Sequence, residues 1–402
     1  MARPGPLLVT IALAALLLAC NGGDATPARS PAPLGTPAAA SIQLRPGEAI
    51  RIGVSVALSG DQQALGGDIA DAAVLAAADA GGSLRGHPIE VVRLDDGCGD
   101  AEAAVAVARS FIAMANLAAV IGPMCTTGAQ AAGPLYEAAH MLHVSPSATR
   151  VDVAQPDERF FFRTAWRDDA QGRVQAAYAR DAGAATAVVI DDGGPYGRTL
   201  GDGFVGAFQQ SGGSVLARQR IARGATDFSG LASQVRSANP DAVVFEGVNP
   251  EAALIVRALG FAQYRGAFIA PDGVLSARDF IASAGEAAQG AILTGGATPD
   301  EAYVAHFRDR FQRVPSTPFV LQARDAVAVV LAAIDAAAAD KGAGALELDR
   351  DRLADTLRSG HYIGLTGAIR FAENGDRGGG TASDLGLAIY RVRENAFERL
   401  PY

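Results

Sequence analysis

Gly122–Thr149 reads GPMCTTGAQAAGPLYEAAHMLHVSPSAT, and its grammar decides the fold class. The apolar run Ala118-Ala119-Val120-Ile121 stops at Gly122-Pro123, as a buried strand does where it meets a turn. Thr126 and Thr127 stand where a helix would begin, with hydroxyls that can cap its free backbone N–H groups. Leu142-His143-Val144 gives a second short strand, and the loop Ser145-Pro146-Ser147-Ala148-Thr149 follows it. Two hydroxyl-rich loops thus follow neighbouring strands. That is where open α/β sheets bind ligands and where helix N-termini favour anions.

The same grammar returns further along, with Gly122 spaced from Gly247 as Pro146 is from Pro271. Asp241–Phe245 reads as a strand, Gly247–Pro250 as a loop, Glu251–Leu259 as a helix, Phe268-Ile269 as a strand and Ala270–Gly273 as a loop. An earlier unit is also echoed: the strand Ile52–Val56 and its Gly-rich loop by Val188–Ile190 and Asp192–Gly197. Two copies of one α/β module predict two doubly wound, Rossmann-like lobes whose strand-end loops face a cleft. A ligand would lie between hydroxyls on one wall and the carboxylate of Asp272 on the other.

The whole chain sets limits. Its 402 residues suggest two or three domains, and 49% hydrophobic content supplies ample core. The net charge of −9 and the lack of a Lys/Arg cluster argue against nucleic acid as a partner. Residues 1–20 read as an export signal, because Leu7–Leu18 is apolar but short for a bilayer span. Leu17-Leu18-Ala19-Cys20 resembles a bacterial lipobox, in which Cys20 is lipidated; an ordinary signal peptide with an incidental cysteine is the alternative. Residues 21–49, rich in Pro, Ala and Gly at their start, read as a flexible tether.

The order Ile52-Gly53-Val54, Leu58-Ser59-Gly60, Asp95-Asp96-Gly97-Cys98, Gly122-Pro123-Met124-Cys125, Ser145–Thr149 and Tyr196-Gly197 resembles the leucine/isoleucine/valine-binding protein family. These are extracytoplasmic substrate-binding proteins of branched-chain amino-acid ABC transporters. The resemblance, from about residue 50 to the C-terminus, implies a type I periplasmic binding protein fold with a three-crossover hinge. Lobe one would comprise 50–164 and 298–369, and lobe two 165–297 and 370–402. It implies that Cys98 and Cys125 are paired, where two free thiols are the alternative. Thr126, Ser147, Ala148 and Thr149 match positions that hold the ligand's α-carboxylate, Tyr196 a contact to its side chain, and Asp272 the acid that binds its α-ammonium. Val248 stands where the leucine-binding proteins place a tyrosine, and Leu65 where they often carry an aromatic.

The expected function is therefore capture of a small polar ligand, foremost a branched-chain or other aliphatic amino acid, for delivery to an ABC permease with its ATPase subunits. The expected state is a monomer, exported and held to the membrane by its N-terminal lipid. The alternative is a sensing receptor of the same fold for an amide, urea-like compound or aromatic acid. No enzyme, cofactor or metal role is expected. Gly201-Asp202-Gly203-Phe204-Val205-Gly206 spells the dinucleotide fingerprint, but it would lie inside a helix and not at a strand-to-helix turn. His140 and His143 lack acidic or cysteine partners at zinc-site spacing. Trp166, in the stretch Arg163–Gly172, is expected to pack at the hinge between modules.

Overall fold

A computed structural model describes residues 40–60, 62–155 and 157–402. The expected signal, Cys20 and most of the expected tether lie outside these residues. Among the described residues no helix is long and apolar enough to cross a membrane.

The chain enters through β1 (Ser41–Leu44), which pairs antiparallel with β14 (Leu346–Asp349). This departs from the tether expected over 21–49, and alternation explains it: Ile42 and Leu44 are buried while Gln43 faces out. Lobe one then builds β2 (Ile50–Val56), α1 (Gln63–Asp79), β3 (Ser83–Leu84), β4 (His87–Asp95), α2 (Ala101–Ile112), β5 (Leu117–Ile121), α3 (Thr126–Ala138), β6 (His143–Ser145) and β7 (Phe161–Arg163). Its sheet runs β3-β4-β2-β5-β6-β7, parallel from β4 to β7.

Lobe two repeats the plan with α4 (Asp168–Asp181), β8 (Thr186–Asp191), α5 (Pro195–Gln210), β9 (Ser214–Arg220), α6 (Ser229–Ala238), β10 (Ala242–Glu246), α7 (Glu251–Phe261), β11 (Ala267–Ala270), the single turn α8 (Ala282–Ala284) and β12 (Ile292–Gly296). The chain returns to lobe one for α9 (Glu301–Phe311), α10 (Val320–Ala337), β13 (Ala339–Asp340), β14, α11 (Arg350–Ser359) and the hairpin β15 (Tyr362–Gly364) with β16 (Gly367–Ile369). It ends in lobe two with β17 (Leu387–Arg393) and β18 (Ala396–Arg399), giving the order β18-β17-β12-β11-β10-β8-β9. Within each lobe the five parallel strands follow the same doubly wound order. The switch points fall between β2 and β5 and between β8 and β10.

The fingerprint glycines lie inside α5, as expected. A Cβ on Gly203 would stand 2.4 Å from the Asp169 carbonyl oxygen, and one on Gly172 would stand 2.2 Å from that of Leu200. Glycine on each helix lets α4 and α5 touch backbone to backbone, so Gly203 serves packing.

Three connections join the lobes, over 164–167, 297–300 and 370–386. The last starts after the β15–β16 hairpin, whose second strand Gly367 opens at φ 99°. The connections are bound to one another. Arg163 Nε donates to Asp376 Oδ1 at 2.7 Å, and Arg167 Nη1 donates to Asp376 Oδ2 at 3.2 Å. Arg377 Nη1 donates to the Thr164 carbonyl at 3.1 Å. Trp166, fully buried, stacks on Phe319 with ring centroids 5.1 Å apart. It packs at the hinge, and its Nε1 donates to Gln171 Oε1 at 2.8 Å.

Candidate functional site

Lobe one offers a wall tied down by its own backbone. Cys98 and Cys125 form a disulfide that links the turn after β4 to the start of α3. Cys125 occupies the N-cap position of α3 and no side chain caps that helix. The capping role expected of Thr126 and Thr127 is therefore not used: both fall inside the first turn, and a cap must precede it. Thr126 is half-buried at the helix start.

After β6 the loop folds against the turn after β5. Ser145 Oγ donates to the Pro123 carbonyl at 2.7 Å, and Ser147 Oγ donates to the Met124 carbonyl at 2.8 Å. The Ala148 N–H donates to Ser145 Oγ at 3.1 Å. The Ser147 hydroxyl proton and the Ala148 N–H are thus committed internally. Arg163 Nη1 holds the next turn, donating to the carbonyls of Ala148 at 2.8 Å and Arg150 at 2.7 Å. The Thr149 carbonyl accepts from the Asp168 N–H at 3.0 Å, which brings the end of the loop to the first crossover. Leu65, near the start of α1, is half-buried and packs on the lobe-one core.

Lobe two presents acid. Asp272 follows β11 and is half-buried. Tyr196, second residue of α5, donates its hydroxyl to Asp272 Oδ1 at 2.6 Å and accepts from the Gly273 N–H at 3.2 Å. Burial pushes the Asp272 carboxyl up, while Tyr196 and Gln171 beside it pull the other way. Burial, with the Asp272 charge, pushes the Tyr196 phenol well above its ordinary value. A Cβ on Gly273 would stand 2.9 Å from Val248 Cγ1 and 3.2 Å from the Tyr196 hydroxyl. Tyr196, Val248 and Asp272 therefore meet at one place, and a side chain at 273 would fill it.

Two acids missed by sequence reasoning complete this wall. Asp168 opens α4 and is fully buried; among the described residues neither oxygen has a well-formed hydrogen bond. Burial pushes its carboxyl up to about 7, with the Asp272 charge adding and the neighbouring Thr149 hydroxyl and Arg163 opposing. Glu246 ends β10, also fully buried and without a hydrogen-bond partner for either oxygen. Burial first, then the charges of Asp272, Asp168 and Asp191, push it well above the usual carboxylate range, with Gln175 opposing. The signal was present in both cases. A charged residue closes the otherwise apolar strand Ala242-Val243-Val244-Phe245-Glu246, and an acid pair follows Trp166-Arg167. Among the described residues no group of three or more His, Cys, Asp or Glu side chains is arranged to hold a metal ion. The wall's chemistry is that of a cation or N–H donor receptor.

The sequence profile described as "Periplasmic binding protein" matches residues 49–395. The chain is 30% identical to the leucine-, isoleucine-, valine-, threonine- and alanine-binding protein of Pseudomonas aeruginosa, over 73% of this chain and 78% of that one. It is 29% identical to a Leu/Ile/Val-binding protein of Rhizobium johnstonii, over 81% and 88%. Among solved structures, a leucine-binding protein of Thermotoga maritima superposes with a TM-score of 0.69 at 26% identity, covering 88% of this chain and 98% of that one.

Proposed function

The chain belongs to the periplasmic binding protein family, of the branched-chain amino-acid ABC transporter type, and from that premise we propose that it captures an aliphatic amino acid, foremost a branched-chain one, in the cleft between its lobes. Its relatives are substrate-binding proteins and not enzymes, and the family is extracytoplasmic. The observation that carries the reading is the Tyr196–Asp272 pair at 2.6 Å, at the strand ends of lobe two. A carboxylate fixed in this way can take the α-ammonium, and a charge-assisted hydrogen bond there contributes about 1.5–3 kcal/mol. On the other lobe, the Thr126 and Thr149 hydroxyls and the backbone N–H groups around Ser147 are the donors this reading assigns to the α-carboxylate, the Ser147 hydroxyl being held by the Met124 carbonyl. Leu65 and Val248 give the side-chain pocket an aliphatic lining.

In this reading lobe one is 50–164 with 298–369, and lobe two is 165–297 with 370–402. Closure about the three crossovers buries the ligand, and the closed form is what the permease receives. Ligand shifts that equilibrium only by its preference for the closed state. Lipidation of Cys20 would hold a monomer to the membrane; mass spectrometry of the purified N-terminus tests it, and an unmodified N-terminus rejects it.

Calorimetric titration tests the ligand. The protein is unfolded and refolded to strip any co-purified compound, then titrated with L-leucine, the other aliphatic amino acids and simple amides. A Kd near 1 μM, or about −8 kcal/mol, for an aliphatic amino acid supports the reading. Silence toward every amino acid overturns it.

A further inference from the structure

The ligand loop of lobe one is held by a residue that is itself held by the hinge. Arg163 ends β7, and its guanidinium is closed off from solvent. Nη1 donates to the carbonyls of Ala148 at 2.8 Å and Arg150 at 2.7 Å, on either side of Thr149. The rest of the fork faces Asp376 of the third crossover: Nε donates to Oδ1 at 2.7 Å, and Nη2 stands 2.5 Å from the same oxygen. That crossover lies hard against β7. The Arg163 N–H donates to the Gly375 carbonyl at 3.0 Å, and a Cβ on Gly375 would stand 1.9 Å from the Phe161 carbonyl oxygen. The other oxygen of Asp376 accepts from Asn374 Nδ2 at 2.8 Å and from Arg167 Nη1, in the first crossover, at 3.2 Å. Asp376 is therefore fixed by three side chains and by the backbone on which it sits.

We propose that Asp376 is a positioning residue for ligand capture: it holds the Arg163 fork in the setting that fixes the loop 147–150. That this loop receives the ligand rests on the reading given above. A planar guanidinium can meet a carboxylate along one edge and carbonyls along another at once. Its charge, taken out of water, needs the anion beside it. Without Asp376 the fork would turn towards whatever acceptor or water it could reach, and the Ala148 and Arg150 carbonyls would lose their shared donor. The loop would then sample several settings, and ordering it would become a cost of binding. Arg167, a third exposed at its side chain, is the outer partner, and its bond to Asp376 is dispensable for this role. In this role Asp376 acts through Arg163.

Asp376→Asn in the full-length protein gives the direct test. It leaves an oxygen for Arg163, removes the charge and sets N–H donors against Asn374 and Arg167. Amide hydrogen exchange without ligand should be about tenfold faster over 145–153, with β2 and β5 at wild-type rates. Unchanged loop exchange overturns the proposal. So does a uniform rise through lobe one, which is the mark of a pair that only stabilises the fold. If the variant fails to fold, Arg163→Lys keeps a charge beside Asp376 but lacks the fork, and the same local rise is expected; its absence overturns the proposal. Arg167→Gln is the control, with loop exchange at the wild-type rate; a rise equal to that of Asp376→Asn overturns the assignment to the Arg163 pair.

The binding arm is calorimetry with L-leucine. Asp376→Asn should raise Kd about tenfold, and adding Arg163→Lys should raise it little further, because both changes break one path. An unchanged Kd with a loosened loop overturns the role in capture, and fully additive effects overturn the shared path. Silence of the wild type toward leucine would sink the amino-acid reading alone, and loop exchange would still decide whether Asp376 sets the loop.

Discussion

The two walls of the cleft come from the same module and have opposite characters. In lobe one the hydroxyls at the strand ends are spent on their own backbone: Ser145 on Pro123, Ser147 on Met124, with the Cys98–Cys125 disulfide holding the helix start. In lobe two Glu246 ends β10, Asp272 follows β11 and Asp168 opens α4, and of these three only Asp272 has a short hydrogen bond among the described residues. One wall is satisfied before any ligand arrives, whereas the other stays in need of donors. Shared topology fixes where a site can be, and the residues at the strand ends decide which wall is rigid and which is reactive.

The difference can be broken most severely at Asp272. Replacing it with alanine leaves a ligand ammonium without its anion, a loss of about 3–5 kcal/mol that calorimetry would read as a more than hundredfold rise in Kd. An unchanged Kd would remove Asp272 from the site. Asp168 comes next. Its folded carboxyl stands near 7 against an ordinary 3.8. The folded state therefore binds the proton more tightly than the unfolded one, and this group's stabilisation is full below about pH 4 and lost as pH rises through 7. Urea midpoints should fall by about 3 kcal/mol equivalent between pH 4 and pH 8, and Asp168→Asn should flatten that slope.

Removing the disulfide by Cys98→Ser with Cys125→Ser acts on the satisfied wall. It should cost about 3 kcal/mol in thermal or chemical unfolding, on the loop-entropy account. Its effect on Kd should be small as long as the hydrogen bonds of Ser145 and Ser147 persist. The smallest effect is expected at Ser147→Ala, about 1 kcal/mol of stability, because it frees one carbonyl at a partly exposed turn. If Ser147→Ala instead abolished binding with no change in stability, the lobe-one wall would be as reactive as its partner.

Much of this was legible in the chain. Short apolar runs that end in glycine- or proline-containing loops and are followed by helices announce the strand–loop–helix units of both lobes, while the strand order within each sheet is set by contacts distant in sequence. Tyr196 and Asp272 were singled out through the family resemblance, and the fold brings their side chains within 2.6 Å of each other. What stayed hidden depends on contacts that no local pattern encodes. Glu246 looked like the polar end of a strand until Gln175, Asp168 and Asp272 surrounded it. Thr126 looked like a cap because the sequence cannot say that Cys125 already takes that position. The strand Ser41–Leu44 is four residues long, too short for periodicity to announce, and its partner lies near residue 347.

That short strand has a mechanical meaning. The chain joins the fold through a ladder in which Ser41 to Leu44 are paired with Asp349 to Leu346, reinforced by the Arg350 N–H donating to the Ala40 carbonyl at 3.0 Å. A pull on the chain upstream is carried into lobe one and through none of the three crossovers. Any load on the upstream chain enters the fold at this ladder, where Ile42 and Leu44 would have to leave the core before the strand came away.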